Sequence, residues 1–174
     1  TAWDGNITTN WLGRLATGAK PWPHREETSK YTALMPSGKA RQFTWVMEAK
    51  SVITSPCPEK PLLTQGYHTI SGLAWSGTGK IKRVDVSVDG GRNWRQASLD
   101  GLVLSKSLTR FSLPWEWNGN PALLQSRAID ETGYIQPTIR QLRDVRGEWS
   151  IYHNNAIQTW HLKKDGVSEN VQVG

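Results

Sequence analysis

The chain has 174 residues, of which 37% are hydrophobic, and a formal net charge of +6 at neutral pH. This length accommodates one folded domain with additional segments. The sequence has no run of about 18 apolar residues, which excludes a membrane-spanning helix. The positive charge permits an anionic partner, but the Lys and Arg residues are scattered and no nucleic-acid-binding motif accompanies them. We therefore predict no nucleic-acid partner.

Residues 1–41 differ in composition from the rest of the chain. Gly and Pro interrupt every candidate element, so this segment cannot bury a core of its own and is predicted to lie on a larger body. Its start, residues 1–5, has neither the features of a signal peptide nor an initiator Met. We therefore expect either that a leader has been removed or that the chain is a piece of a longer protein.

From residue 42 onwards, hydrophobic residues alternate with polar ones, the pattern of half-buried β-strands. No amphipathic helix is predicted between the strands, and the segment 138–157 is predicted to be a long loop. The pattern predicts an all-β fold, an immunoglobulin-like antiparallel β-sandwich over residues 42–164, with a polar tail at 165–174. The predicted strands span 43–54, 66–75, 81–88, 93–99, 108–115, 122–129 and 158–162.

The sharpest local pattern is the hairpin that follows the third predicted strand. In that strand the alternation places Val84 and Val86 towards the core and Asp85 towards water. The segment Ser87–Trp94 then matches the shape of an Asp-box hairpin, in which the Asp caps its own turn while the Ser and Trp pack the arms together. The motif occurs once, so we interpret it as a structural hairpin rather than as a catalytic site.

The sequence offers no complete metal site or active site. Cys57 is the single cysteine, so it cannot form an intrachain disulfide, and it is predicted to be a passive loop thiol. The histidines lack metal-ligand spacing, and we interpret His68 and His161 as structural. The carboxylates mostly flank turns and no serine-hydrolase motif is present, so no catalytic residue is predicted in this chain.

The chain contains ten tryptophans, a large number for its length. The tryptophans within strand patterns are predicted to lie in the core: Trp45, Trp75, Trp94 and Trp160. A second group of aromatic residues lies either at a protein interface or in the core, and the sequence leaves these two alternatives open. This group comprises Trp115, Trp117, Trp149 and Tyr152.

One long stretch of the chain resembles a known family. The string Gly72–Ile81, followed by Val84–Gly91 and Trp94, is similar to the dimerisation domain of the molybdenum sulfite oxidase family. The similarity covers residues 42–164. Residues 6–14 resemble the last stretch of the molybdenum domain that precedes the dimerisation domain in this family. The resemblance thus implies that residues 1–41 are the C-terminal tail of the molybdopterin-binding domain.

Within the family, Met47–Pro56 and Arg146–Asn155 resemble the sulfane dehydrogenase branch of the Sox thiosulfate-oxidation system. The resemblance implies a molybdopterin-molybdenum cofactor, bound mainly by residues upstream of this chain, and a sandwich that mediates subunit assembly. It also implies a periplasmic homodimer that oxidises sulfane sulfur on a carrier protein and passes electrons to a c-type cytochrome subunit. This chain alone is then expected to be inactive, because the family's molybdenum-binding cysteine belongs to the upstream domain.

The resemblance also implies roles for individual residues. Thr8, Thr9 and Asn10 correspond to residues that help to hold the pterin phosphate, although the family usually has a lysine at the position of Asn10. Arg146 corresponds to an arginine that reaches towards the anionic substrate pocket, a role that suits the fork of a guanidinium group. Cys57 lies outside the segment that carries the molybdenum ligand.

Two alternatives stay open on the sequence alone. One is a sulfite dehydrogenase of the same family, which differs in its substrate. The other is a free-standing adhesion or carbohydrate-binding sandwich, since aromatic residues on a sandwich face can stack on sugars. Residues 1–41 argue against the second alternative, because a free-standing module has no need of a segment that resembles molybdenum-domain sequence.

Overall fold

The structure is a computed structural model, and it describes residues 13–20, 22, 32–41, 45–148 and 154–173. Within these residues the chain forms strands and one short helix, α1, Ile139–Arg146. No helix in this part of the chain has the length and apolar character needed to cross a membrane. The strands are β1 Ala33–Leu34, β2 Ala40–Arg41, β3 Lys50–Ser55, β4 Gly66–Trp75, β5 Ile81–Ser87, β6 Arg95–Gln96, β7 Ser98–Asp100, β8 Thr109–Trp117, β9 Ala122–Asp130, β10 Thr159–Leu162 and β11 Ser168–Val171.

Two antiparallel sheets form the sandwich. The first has the strand order β3-β4-β8-β7, and the second has the order β11-β10-β9-β5-β6. A separate two-stranded pair, β1-β2, lies within the segment 1–41. The all-β prediction is confirmed, and the predicted strands at 66–75 and 122–129 agree closely with β4 and β9.

The core lies between the inward faces of the two sheets. Ile70 on β4 and Phe111 on β8 come from the first sheet, and Val84 and Leu124 from the second; all four are fully buried. This arrangement follows from the period-two alternation, because successive side chains of a strand point to opposite faces of its sheet. Burial of apolar surface on this scale is the main favourable contribution to folding.

Gly72, in the centre of β4, occupies a position that only glycine can fill. A Cβ atom at this position would lie 2.2 Å from the carbonyl oxygen of Val52 and 2.4 Å from the ring of Phe111. No side chain fits in that space. The glycine therefore allows β3 and the Phe111 ring to pack directly on the backbone of β4.

The fourth predicted strand, 93–99, is divided between the two sheets. β6 pairs with β5, whereas β7 pairs with β8. The chain changes sheets at Ala97, which is buried and donates its backbone N–H to the carbonyl oxygen of Val84 at 2.9 Å. A simple alternation cannot show this, because the hydrophobic period continues through the bend.

The prediction that Asp85 faces water is wrong. Its side chain is buried, as is that of Ser87. Asp85 is accommodated because two guanidinium groups neutralise it, as ion pairs with Arg83 at 3.0 Å and with Arg127 at 3.2 Å. A buried carboxylate is tolerated when it is paired in this way.

Two segments that were predicted to lack regular secondary structure contain a helix and a strand. The segment 138–157 holds α1, and the range 165–174 holds β11, which pairs with β10 and extends the second sheet. The predicted core position of Trp45 is also wrong, since its side chain is 42% exposed. Trp45 precedes the first sandwich strand, β3, rather than lying within it.

Candidate functional site

A cleft of about 700 Å³ lies on the surface of the described part of the chain. It is lined by residues from β9, α1, the turn after β5 and the segment 134–137. Of the described residues that line it, three carry a guanidinium group and one carries a carboxylate, and apolar side chains form much of the remainder. The charged residues are Arg41, Arg127, Arg146 and Glu48.

The helix α1 presents Arg146 to this cleft. Thr138 caps the helix start, because its Oγ1 accepts a hydrogen bond from the backbone N–H of Gln141, while Gln141 Oε1 accepts one from the backbone N–H of Thr138. Ile139 and Leu142 pack together with Ala156 beneath the helix. This fixes the orientation of the last turn, where the positive charge of Arg146 interacts favourably with the helix dipole.

Arg146 forms a buried ion pair with Glu48. Its Nη2 atom contacts Glu48 Oε2, and the two side chains are 7% and 24% exposed. The same carboxylate oxygen accepts a hydrogen bond from the hydroxyl of Tyr134 at 3.3 Å. Asn155 Nδ2 in turn donates to the Tyr134 hydroxyl oxygen at 3.0 Å and to the carbonyl oxygen of Ala49 at 3.2 Å.

The electrostatics of Tyr134 reflect this network. Burial raises the pKa of its hydroxyl, and the negative charge of Glu48 raises it further. The hydrogen bond from Asn155 and the positive charge of Arg146 act in the opposite direction, but the net pKa shift is upward. Tyr134 therefore stays protonated and continues to donate to Glu48 at neutral pH.

A second charged group borders the cleft at Arg127. Its guanidinium lies 4.3 Å from the ring centre of Trp94, in a cation–π arrangement. Its charge is also paired with Asp85.

Trp94 belongs to the hairpin in which Asp89 Oδ1 accepts hydrogen bonds from Ser87 Oγ at 2.7 Å and from the backbone N–H of Asn93 at 2.9 Å. The predicted capping of this turn by its own Asp is confirmed.

The backbone N–H of Asn93, together with its side-chain amide and the hydroxyl of Ser87, lowers the pKa of Asp89 to about 2. The carboxylate is thus ionised at neutral pH and locks the turn. This turn contains Gly90 and Gly91, which line the cleft. The hairpin therefore forms part of the cleft wall, and Arg127 lies beside it, in contact with the ring of Trp94.

The sequence-predicted site residues fall into three groups. Arg146 lies in the cleft. Trp117 is in the core, 3% exposed, because it shares the inward face of β8 with Phe111 and Leu113. Of the two alternatives that the sequence left open for Trp117, this burial favours the core, and Trp115 on the same face is half-buried against the core. The remaining predicted residues lie outside the described residues: Thr8, Thr9, Asn10, Trp149 and Tyr152.

Sequence reasoning missed Glu48 and Tyr134. Glu48 and Arg146 are 98 residues apart, and no spacing in the sequence links them. They come together only where the residues before β3, the segment after β9 and the end of α1 meet in the folded chain. The one available signal was an acidic residue two positions before a strand of the core, which is too common to identify a partner.

The described residues do not provide a metal centre. Among them, no three His, Cys, Asp or Glu side chains are arranged so that they could bind an ion. Cys57 is half-buried and lies in a turn where its backbone pairs with Lys60.

Comparison with known proteins places this sandwich in a molybdenum enzyme family. Residues 41–160 match the Mo-co oxidoreductase dimerisation domain, and the chain belongs to this family. It is similar to the crystal structure of the sulfane dehydrogenase SoxCD from Paracoccus pantotrophus, with a TM-score of 0.94 and 57% sequence identity. The similarity covers 99% of this chain and 45% of that chain.

Other relatives are more distant or shorter matches. Sulfite oxidase from Gallus gallus is 28% identical over 158 residues, which cover 82% of this chain and 34% of that protein. Nitrate reductase (NADH) 2 from Arabidopsis thaliana is 45% identical over 159 residues, which cover 76% of this chain and 17% of that protein. The chain thus spans less than half the length of each of these three relatives.

Proposed function

We propose that this chain is the C-terminal part of a molybdenum-dependent sulfane dehydrogenase of the Sox thiosulfate-oxidation system. The observation that carries the proposal is the 57% identity to a sulfane dehydrogenase structure over 99% of the chain. By comparison, the chain is 28% identical to the sulfite oxidase from Gallus gallus. In the proposed enzyme the sandwich mediates subunit assembly, and its cleft forms the edge of the substrate pocket.

Arg146 is the residue of this chain proposed to meet the substrate. It ends a helix that is fixed by a capping box and an apolar underside, so its backbone position is well determined. It lines a cleft in which guanidinium groups outnumber carboxylates. A guanidinium group presents several N–H donors in one plane and therefore suits an anionic sulfur group.

The cofactor and partners follow from the same proposal. A molybdopterin-molybdenum cofactor would be bound mainly by residues upstream of this chain and would supply the redox chemistry. Thr8, Thr9 and Asn10 would contribute contacts to the pterin phosphate. The enzyme would be a periplasmic homodimer that receives sulfane sulfur on a carrier protein and delivers electrons to a c-type cytochrome subunit, with Trp149 and Tyr152 at an assembly interface.

A sulfite dehydrogenase is the second candidate. The similarity to sulfite oxidases over most of the chain supports it. The two candidates share the family, the fold and the cofactor, and they differ in the substrate alone. A free-standing carbohydrate-binding sandwich is not retained, since the chain belongs to the molybdenum enzyme family.

The test uses the enzyme in which this chain is joined to its molybdenum domain. The specificity constant is measured with sulfane sulfur on the carrier protein and with inorganic sulfite. The proposal predicts a higher kcat/KM for the sulfane substrate. In Arg146→Gln we expect the KM for the sulfane substrate to rise about tenfold or more, because a charged hydrogen bond to the substrate is lost.

Arg140→Gln provides the matched control. Arg140 lies on the same helix and is exposed outside the cleft lining, so it undergoes the same change of charge without touching the site. Its KM should stay within about twofold of the parent value. A higher kcat/KM for sulfite would favour the sulfite dehydrogenase instead, and equal KM values for both variants would remove Arg146 from the substrate pocket.

A further inference from the structure

We propose that Glu48 is a specificity-determining residue: by pairing with Arg146 it disfavours small, highly charged free oxyanions and favours a sulfur group of lower charge. The inference rests on the proposed function, in which Arg146 borders the substrate pocket. It concerns which anions the pocket accepts, and it assigns this selection to a residue that makes no direct contact with the reacting sulfur.

Glu48 is held in place from two sides. Its Oε2 atom contacts the guanidinium of Arg146 and also accepts a hydrogen bond from the hydroxyl of Tyr134. Tyr134 is itself held by Asn155. The side chain of Asn155 is buried and also donates a hydrogen bond to the carbonyl oxygen of Ala49, the residue before β3. Glu48 is therefore a fixed countercharge, unlike a mobile carboxylate on the surface, which pays side-chain entropy to form its ion pair.

The pairing changes what Arg146 offers to a ligand. An unpaired guanidinium attracts a dianion more strongly than a monoanion, in proportion to charge. With Glu48 alongside, the pair has no net charge, and any anion that approaches Arg146 also approaches a carboxylate. Because the pair is largely buried, solvent screens this repulsion only weakly.

The two candidate substrates differ in this respect. Free sulfite carries up to two negative charges on a compact group. A sulfane sulfur at the end of a carrier's cysteine carries at most one, and the carrier's own surface contributes binding energy away from the pocket. Repulsion from Glu48 therefore penalises sulfite more than the carrier-bound sulfane sulfur, which is the direction of selectivity that the proposed enzyme requires.

The experiment measures kcat/KM for inorganic sulfite and for sulfane-loaded carrier with the parent enzyme and Glu48→Gln. The glutamine keeps an acceptor oxygen for Tyr134 and for Arg146 but removes the negative charge. We expect the sulfite-to-sulfane ratio of kcat/KM to rise roughly tenfold, mainly through a lower KM for sulfite. Glu59→Gln is the control, since Glu59 is exposed and lies outside the cleft, and its ratio should not change.

An unchanged ratio in a folded Glu48→Gln enzyme, judged by its melting temperature and molybdenum content, would overturn the inference. The proposed function would survive that result if Arg146→Gln still raised the KM for the sulfane substrate. If Glu48→Gln does not fold, Glu48→Asp carries the test. Its shorter side chain withdraws the carboxylate from the guanidinium, so the ratio should rise by roughly threefold, and no rise would overturn the inference.

Discussion

The side chain of Gln136 is hydrogen-bonded to Ser51, which lies 85 residues earlier in the chain. Gln136 Oε1 accepts hydrogen bonds from the backbone N–H and the hydroxyl of Ser51, both at 2.8 Å. It also accepts the backbone N–H of Ala128 at 3.0 Å. Ser51 belongs to β3 and Ala128 to β9, so one buried amide joins the two sheets of the sandwich.

Gln136→Leu should be among the most destabilising single substitutions in the described part of the chain. Leucine fills a similar volume but leaves the buried N–H groups of Ser51 and Ala128 without an acceptor. We expect the free energy of unfolding to fall by about 2–4 kcal/mol. Urea denaturation measures this loss. Gln96→Leu, at an exposed position, should change the free energy by less than about 0.5 kcal/mol, and equal losses in both variants would contradict the role of Gln136.

Asp130 makes the stability depend on acidic pH. Burial by itself raises the pKa of this carboxyl, but hydrogen bonds from Thr132, Thr78, Ser76 and the backbone of Tyr134 outweigh it and hold the pKa below its ordinary value of 3.8. A carboxyl with a lowered pKa in the folded state stabilises the protein above the pKa of the unfolded chain. That contribution is lost as the pH falls below about 4.

Asp130→Asn should remove this dependence. At about pH 6 the variant should unfold more readily by about 2 kcal/mol, because the charged acceptor of several hydrogen bonds is lost. Thermal unfolding at a series of pH values should show the difference between variant and parent narrowing below about pH 4. The exposed Asp144→Asn serves as the control. A difference that stays constant across this pH range would show that Asp130 contributes no stability through its charge.

The capping box of α1 should matter both to stability and to the cleft. Thr138→Ala removes the acceptor for the backbone N–H of Gln141 and should lower the free energy of unfolding by about 1 kcal/mol. Because α1 positions Arg146, we also expect a weaker interaction with the substrate in the intact enzyme. Thr64→Ala, at an exposed loop position, should alter neither quantity, and an unchanged KM in Thr138→Ala would separate the helix cap from the site.

The paired arginines at Asp85 offer a prediction about the cleft wall. Asp85→Ala removes the partner of Arg83 and Arg127 and leaves a half-buried guanidinium without its carboxylate. We expect a loss of about 1–3 kcal/mol, measured by urea denaturation. The double variant Asp85→Ala with Arg127→Met should recover part of that loss, since no cation then lacks its countercharge. A further loss in the double variant would contradict this account of the pair.

The sequence predicted the sandwich because most strands alternate cleanly. β4 agrees with its predicted range, and the fully buried residues of β8 follow the expected period. The failures have local causes. Asp85 interrupts the alternation of β5, because its ion pairs are made with Arg83 and with Arg127 on β9, and pairing across strands is invisible in a linear pattern.

The helix α1 was missed because its eight residues include four charged side chains and few apolar ones. Its signal was the capping pair Thr138 and Gln141, which the long-loop prediction overlooked. Arg146 was predicted from the family resemblance, and the structure places it in the cleft. Its partner Glu48 could not be predicted, since the contact depends on how the segment before β3 and the end of α1 meet in three dimensions.

The most direct test of the account is the mass and molybdenum content of the polypeptide that carries this sequence in its source cells. The chain itself has a mass of 19.5 kDa and spans 45% of the sulfane dehydrogenase chain that it resembles. We predict a polypeptide of more than twice 19.5 kDa with about one molybdenum per chain. A polypeptide of 19.5 kDa without molybdenum would contradict the claim that the sandwich belongs to a molybdenum enzyme chain.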